Sequence, residues 1–301
     1  MKEIRDIIAV FERRRGEPLA LATLVRARGS SYRRPGARML IAPDRSCVGT
    51  LSGGCLEEEV ACRAQEVMAS GEPRLLSFDT RLRYGCNGAI DIFIEHVRPE
   101  FLDEIAAAAR ERRICFAATV FLGRDSLGSR IVVKEAAPAD AFTQAIPPPL
   151  QLLLIGEGPD SAALRAFAFT LGWKVVETEE GGNLPNEHDE WTAAIVKTHN
   201  YGRDYAALQR LLPLGLRYVA LLGPRRRRDQ LLHALMAEGV ELRSELFAPA
   251  GLDIGAESPE QIALAIVTEI QSIFADAKVE SLRTRKAPIH IADELGLALV
   301  R

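Results

Sequence analysis

Two cysteines stand in glycine-built loops, Ser52-Gly53-Gly54-Cys55 and Tyr84-Gly85-Cys86-Asn87-Gly88. The first loop runs into an amphipathic pattern, Leu56 to Ser70, which predicts a helix with the Cys55 sulfur at its N-terminus. Unpaired N–H groups and the helix dipole favour anions there. Such a setting favours a thiolate, the form that attacks electrophiles and ligates soft metals. Glycines also let another molecule approach the backbone closely. Cys55 is therefore the first candidate for a catalytic or metal-ligating thiol and Cys86 the second. The competing role for either is that of a small buried packing residue.

Anion-binding residues accompany the thiols. Arg26 to Arg38 reads RARGSSYRRPGAR, with arginines on both sides of a Gly-Ser-Ser turn. Guanidinium groups together with backbone and hydroxyl donors suit a phosphate-bearing small molecule, so Arg28, Ser30, Ser31, Arg33, Arg34 and Arg38 are candidate contacts. No aromatic series accompanies them, which argues against single-stranded nucleic acid. A second candidate is Gly156-Glu157-Gly158-Pro159-Asp160-Ser161, which follows an apolar run and opens a helical pattern. Gly156 suits a tight turn and Gly158 close approach to a phosphate, the context of a dinucleotide fingerprint. Glu177 and Glu179 stand where a ribose-binding acid is expected. Ser161 replaces the third glycine, and Glu157 and Asp160 bring negative charge to the same place. A third candidate is Arg225 to Arg228 after Gly223-Pro224. Cations at a helix start cost about 0.3–1 kcal/mol each, so four together call for an anionic ligand or acidic partner surface, with Arg225 and Arg226 foremost. His199, just past a strand end, is a candidate ligand contact. His96 reads as structural, and Glu57, Glu58 and Glu59 as ordinary acids of a helix first turn.

The elements that must carry these residues follow from apolar spacing. Helices are expected over Lys2–Arg15, Leu56–Ser70, Phe101–Arg112, Asp160–Leu171, Arg203–Leu212 and Arg225–Glu238, with a last one from Ser258. In that last helix Ser258, Pro259 and Gln261 make a capping box with proline in the first turn. Strands are expected over Leu19–Ala27, Arg38–Ala42, Ser46–Leu51, Arg74–Phe78, Ala89–Val97, Ile114–Leu122 and Ser129–Lys134. The second half adds Gln151–Ile155, Lys174–Thr178, Thr192–Thr198 and Arg217–Leu222. The strand-helix alternation there predicts a parallel sheet covered on both faces. The fold class is thus α/β in two domains, a small N-terminal α/β domain and a Rossmann-like C-terminal one. The domains are expected at residues 1–135 and 151–277, with an Ala/Pro-rich extended spacer at 136–150 and a tail at 278–301.

Composition narrows the function classes. The 301 residues are 48% hydrophobic and 26% charged, which describes a folded chain with a core of its own. A net charge of -3 carries no global nucleic-acid or membrane signature. No apolar run reaches membrane-spanning length, and the N-terminus lacks a secretory pattern, so a cytoplasmic location is expected. Five cysteines without regular spacing argue against a disulfide framework, and no CxxC or histidine pair offers a structural zinc site.

Together these segments resemble the xanthine dehydrogenase accessory (XdhC/CoxI) family over about Leu19 to Phe274. The resemblance is carried by GSSYRRPGARM (29–39), SGGCLE (52–57), GCNGAID (85–91), THN (198–200), LLGPRR (221–226) and PAGLDIGAESPE (249–260). It implies a molybdenum-cofactor chaperone that holds the pterin cofactor while a sulfido ligand is installed and passes it to an apo-molybdenum hydroxylase of the xanthine dehydrogenase type. A cysteine desulfurase is the implied sulfur source and a homodimer the expected assembly. Cys55 would shield the metal or transfer sulfur, and the Arg28–Arg38 loop with Gly53 and Gly54 would hold the cofactor. The family's phosphate loop usually reads Gly-Ala-Gly-His, where this chain has Gly156-Glu157-Gly158-Pro159, and the usual acidic pair is Glu179-Glu180 here. The alternative is an NAD(P)-dependent oxidoreductase that uses the Rossmann-like domain and His199 as general acid/base.

Overall fold

The computed structural model describes residues 2–79, 88–123, 126–134, 141–178, 188–286 and 297–298. The chain forms two compact units, residues 1–148 with 280–300, and residues 149–279. In the first unit α1 (Lys2–Arg13) precedes β1 (Ala20–Gly29), β2 (Arg38–Ile41) and β3 (Cys47–Gly49). Next come α2 (Glu57–Ser70), β4 (Arg74–Asp79), β5 (Gly88–His96) and α3 (Pro99–Arg110). Then follow β6 (Cys115–Val120), β7 (Gly128–Val132) and β8 (Ala141–Ile146).

Five of these strands form one antiparallel sheet in the order β3-β2-β1-β5-β4. Its central strand β1 is buried on both faces, so its apolar residues run without interruption. Ala20, Ala22 and Leu24 pack with Val60, Ala64 and Val67 of α2. Leu21 packs with Ile7 and Phe11 of α1 and Leu102 and Ile105 of α3. This period-two division places the Cys55 helix on one face of the sheet.

A second sheet contains β6, β7 and β8 with β14 (Leu297–Ala298). Residues 141–146 therefore depart from the extended spacer that composition suggested over 136–150. Ala141–Ile146 pairs antiparallel with β6, Thr143 opposite Ala118, and buries Phe142 and Ile146. Pro138 precedes this strand in the sequence and Pro147 to Pro149 follow it, so no proline removes a ladder hydrogen bond from it.

In the second unit β9 (Gln151–Ile155), α4 (Ser161–Leu171), β10 (Lys174–Thr178) and β11 (Thr192–Val196) come first. They are followed by α5 (Tyr201–Leu211), β12 (Tyr218–Leu221), α6 (Arg225–Ala237), β13 (Leu246–Phe247) and α7 (Pro259–Phe274). The sheet is wholly parallel, in the order β10-β9-β11-β12-β13. Leu152 and Leu154 of β9 face α4 and α7, whereas Leu153 and Ile155 face α5 and α6. The Ser258 capping box forms as its spacing predicts. The chain leaves β9 toward one edge and leaves β11 toward the other, so the topological switch point lies between them. No helix among the described residues is long and apolar enough to cross a membrane.

Candidate functional site

Strand register brings the sequence motifs together. Gly29 ends β1 opposite Gly88. Asp79 ends β4 opposite Ala89, and Gly49 ends β3 opposite Met39. The arginine loop (30–37), which joins β1 to β2, and the Cys55 loop (50–56), which leads from β3 to α2, therefore leave the same end of one sheet. Cys86 itself lies outside the described residues.

Two described loops touch. Arg33 Nη1 donates to Thr50 Oγ1 at 2.6 Å, and Arg33 Nη2 to Glu3 Oε2 at 2.8 Å. The Tyr32 ring lies 3.9 Å from the position a Gly53 Cβ would take, and a Cβ at Gly54 would meet nothing within 4 Å. Cys55 is an exposed free thiol, as are Cys47 and Cys62, while Cys115 is buried.

The Cys55 loop is tied by a residue whose spacing announced only helix-dipole chemistry. Glu57 folds back over the loop. Its Oε1 accepts from the N–H of Ser52 (2.8 Å) and Leu51 (3.1 Å), and its Oε2 from Ser52 Oγ–H (2.7 Å) and the Leu56 N–H (3.1 Å). Ser52 Oγ in turn accepts from the Cys55 N–H at 3.1 Å. Burial works against the charged carboxylate, but the hydrogen bonds from the Ser52 side chain and backbone, the Glu57 backbone and the Leu51 backbone outweigh it and hold the carboxyl below its ordinary range. The Leu56 N–H at the helix start is taken by the chain's own carboxylate. No short-range template flags this contact, because Ser52 and Glu57 are five residues apart.

The arginines divide by environment. Arg28 and Arg26 both reach the buried Asp91 carboxylate at 3.3 Å, which also accepts from Ser77 Oγ at 2.7 Å. Arg28 keeps more than half of its side chain exposed. Ser31 Oγ donates to the Arg33 carbonyl, and Ser30 and Arg34 lie on the exposed surface of the loop. Arg38 does not belong with them. It is 3% exposed, donates to Gln144 Oε1 and the Gly36 carbonyl, and packs against Phe101. Burial pushes its guanidinium down to about 10. It is an interior residue and not a ligand contact. Asp91 had one sequence signal, an acid inside an otherwise apolar strand; nothing in the sequence pairs it with Arg26 and Arg28, more than sixty residues away.

Gly88 pins the arginine loop to the sheet. A Cβ there would stand 2.4 Å from the Ser30 carbonyl oxygen and 2.6 Å from that of Arg28. Backbone cannot swing aside as a side chain can. Gly88→Ala is expected to cost about 1–3 kcal/mol and to weaken ligand binding at the loop. Urea unfolding checks the first effect, and an unaltered midpoint would show that β1 and β5 part without cost.

In the second unit, Gly156 makes the tight turn after β9, with a φ of 94°. Gly158 faces the switch point, where His199, in the left-handed region at φ 55°, also stands. Of the two acids expected near a ribose, Glu177 accepts from Arg165 Nη1 at 3.0 Å, and Glu179 lies outside the described residues. Lys197, fully buried, donates to Ser161 Oγ, and its Nζ lies 3.7 Å from Asp160 Oδ2. Of the four consecutive arginines, two are structural. Arg227 Nη2 lies 2.6 Å from the buried Asp204, and Arg228 donates to the Ala248 carbonyl. Asp204 also accepts from the Thr198 N–H and hydroxyl, which fixes the turn that bears His199. Only Arg225 and Arg226 remain exposed, Arg226 lining an open cleft of about 810 Å³ with Tyr201, Asp229, Gln230 and His233.

The site thus belongs to a class of two-unit α/β proteins that pair a thiol-bearing loop end with a Rossmann-like unit. Residues 12–79 match the XdhC and CoxI family, and residues 152–270 match the XdhC Rossmann domain. These two matches span more than half of the chain, which belongs to the XdhC/CoxI family. A Bacillus subtilis protein named as a probable xanthine dehydrogenase subunit is 29% identical, over 84% of this chain and 92% of its own. The Escherichia coli molybdenum cofactor insertion chaperone PaoD is 25% identical, over 86% of this chain and 84% of its own. A crystal structure of a Bacillus halodurans protein described as a xanthine dehydrogenase superposes with a TM-score of 0.78 at 25% identity, covering 93% of this chain and 98% of that one.

Proposed function

We propose that the protein is a molybdenum-cofactor chaperone. It receives the cofactor at the end of the five-stranded sheet, supports its sulfuration, and passes it to an apo-molybdenum hydroxylase of the xanthine dehydrogenase type. The observation that carries this reading is the joining of the Cys55 loop to the arginine loop through Arg33 and Thr50. Family membership and the likeness to a molybdenum cofactor insertion chaperone support it.

The donor set fits the group. When bound, the cofactor supplies a molybdenum centre with sulfur ligands and a pterin bearing a phosphate. The exposed Cys55 thiol is a soft donor that suits such a metal. Arg28 and Arg34, with the Ser30–Ser31 turn, offer charged and neutral donors for the phosphate. Glu57 and Ser52 hold the thiol's loop in place, and Asp91 orients Arg28. In this reading the Cys55 thiol would add a ligand to a metal that its own cofactor already holds. Cys86 is the second thiol of the proposal. A cysteine desulfurase as sulfur donor, a homodimer and a cytoplasmic setting complete it. Against the NAD(P)-dependent alternative stands the Asp160 carboxylate, packed beside Gly158 of the glycine turn.

Cys55→Ala tests the reading. Protein purified from a cofactor-producing host should retain roughly tenfold less pterin, measured by fluorescence after oxidation, and lose reconstitution of hydroxylase activity to a similar degree. Unchanged values for both would remove Cys55 from the function.

A further inference from the structure

The switch point of a doubly wound sheet is where a dinucleotide's phosphates sit against a glycine turn and a helix N-terminus. Here the turn is Gly156 to Gly158 and the helix is α4. That position is already filled by side chains of the chain itself. Asp160 is the N-cap residue of α4, yet its side chain caps no helix N–H. It is 5% exposed, and its Oδ2 has no hydrogen-bond partner. Its charge faces Lys197 at 3.7 Å, and Lys197 is fully buried.

Gly158 shows how tightly these groups converge. The place its Cβ would take is 2.6 Å from Asp160 Oδ1, 3.4 Å from Lys197 Nζ and 3.6 Å from His199 Nε2. In a dinucleotide site this glycine leaves room for a phosphate. In this chain the room is used by a carboxylate, with a lysine and a histidine around it. Lys197 is a cation of the kind that binds phosphate as a point charge, and its ammonium is turned to Ser161 and Asp160.

We infer that Asp160 is an internal stand-in for a phosphate and the residue that bars dinucleotides from the Rossmann-like unit. Like charges in one desolvated place repel, so the carboxylate that neutralises Lys197 also excludes an outside anion. Removing that charge while keeping Lys197 should turn the position into an anion site. The inference stands independently of what the cysteine and arginine loops bind.

The test uses the full chain and two probes, inorganic pyrophosphate and NADH, titrated calorimetrically and by thermal shift. Wild type should show no saturable binding of either. Asp160→Gly and the isosteric Asp160→Asn should bind pyrophosphate at least about tenfold more tightly than wild type. Adding Lys197→Met to either should abolish the gain. Saturable binding of NADH or pyrophosphate by wild type that Lys197→Met removes would overturn the inference. So would an Asp160 variant with native circular dichroism that binds no better than wild type. If neither Asp160 variant folds, the carboxylate is a structural group and the inference falls.

Discussion

Lys197→Met should unfold the second unit at markedly lower denaturant concentration, with a loss of about 3–5 kcal/mol. Methionine nearly matches the length of lysine and removes the charge. Asp160 would then be a carboxylate 5% exposed with no cation beside it, and Ser161 would lose its donor. The penalty arises from the stranded acid more than from any net gain of the pair. Neutralising both partners, as in Lys197→Met with Asp160→Asn, should therefore recover most of the loss. Both tryptophans, Trp173 and Trp191, pack in the core of this unit, so their fluorescence reports its unfolding directly. The single variant should lower the melting temperature by roughly 10 °C or more. A double variant no more stable than the single would show that the two groups do not act as a pair.

Glu57→Ala should loosen the Cys55 loop and cost about 2–3 kcal/mol. The Leu51 and Ser52 amides would lose their acceptor, and Leu51 is fully buried. Hydrogen exchange at Leu51, Ser52 and Leu56 should speed up, and the alkylation rate of Cys55 should change while that of the exposed Cys62 stays constant. Pterin retention should fall as it does in Cys55→Ala. The effect has a pH signature. The Glu57 carboxyl is held below its ordinary range in the folded protein, so its contribution is full above the unfolded pKa of about 4.3. The contribution is lost as pH falls through the folded value. The difference between wild type and Glu57→Gln should accordingly be widest at neutral pH and close in acid. Equal exchange and alkylation in wild type and Glu57→Ala would leave the loop held by Ser52 alone.

Local order was legible in the sequence because it is written in nearest neighbours. The apolar run of Leu19–Ala27, the alternation along Ala89–Val97, period 3.6 along the helices, and the cap at Ser258 all act within a few residues. The Gly156–Gly158 turn was legible for the same reason. β8 was not, since its strand character comes from β6, more than twenty residues earlier, and outweighs its Ala/Pro-rich setting.

The sequence alone therefore determined which segments are helices and strands, where the thiols and arginines fall between them, and that the second half is a parallel sheet. Only the tertiary structure decided that the loops at 30–37 and 50–56 leave one end of one sheet, because register joins residues far apart in the chain. It alone decided that Arg38, Arg227 and Arg228 turn inward while Arg28 stays accessible, that Glu57 takes amide donors of the Cys55 loop, and that Asp160 faces the buried Lys197. Charge is readable in a sequence; what a charge faces depends on which strands pair, and burial then makes that partner decisive.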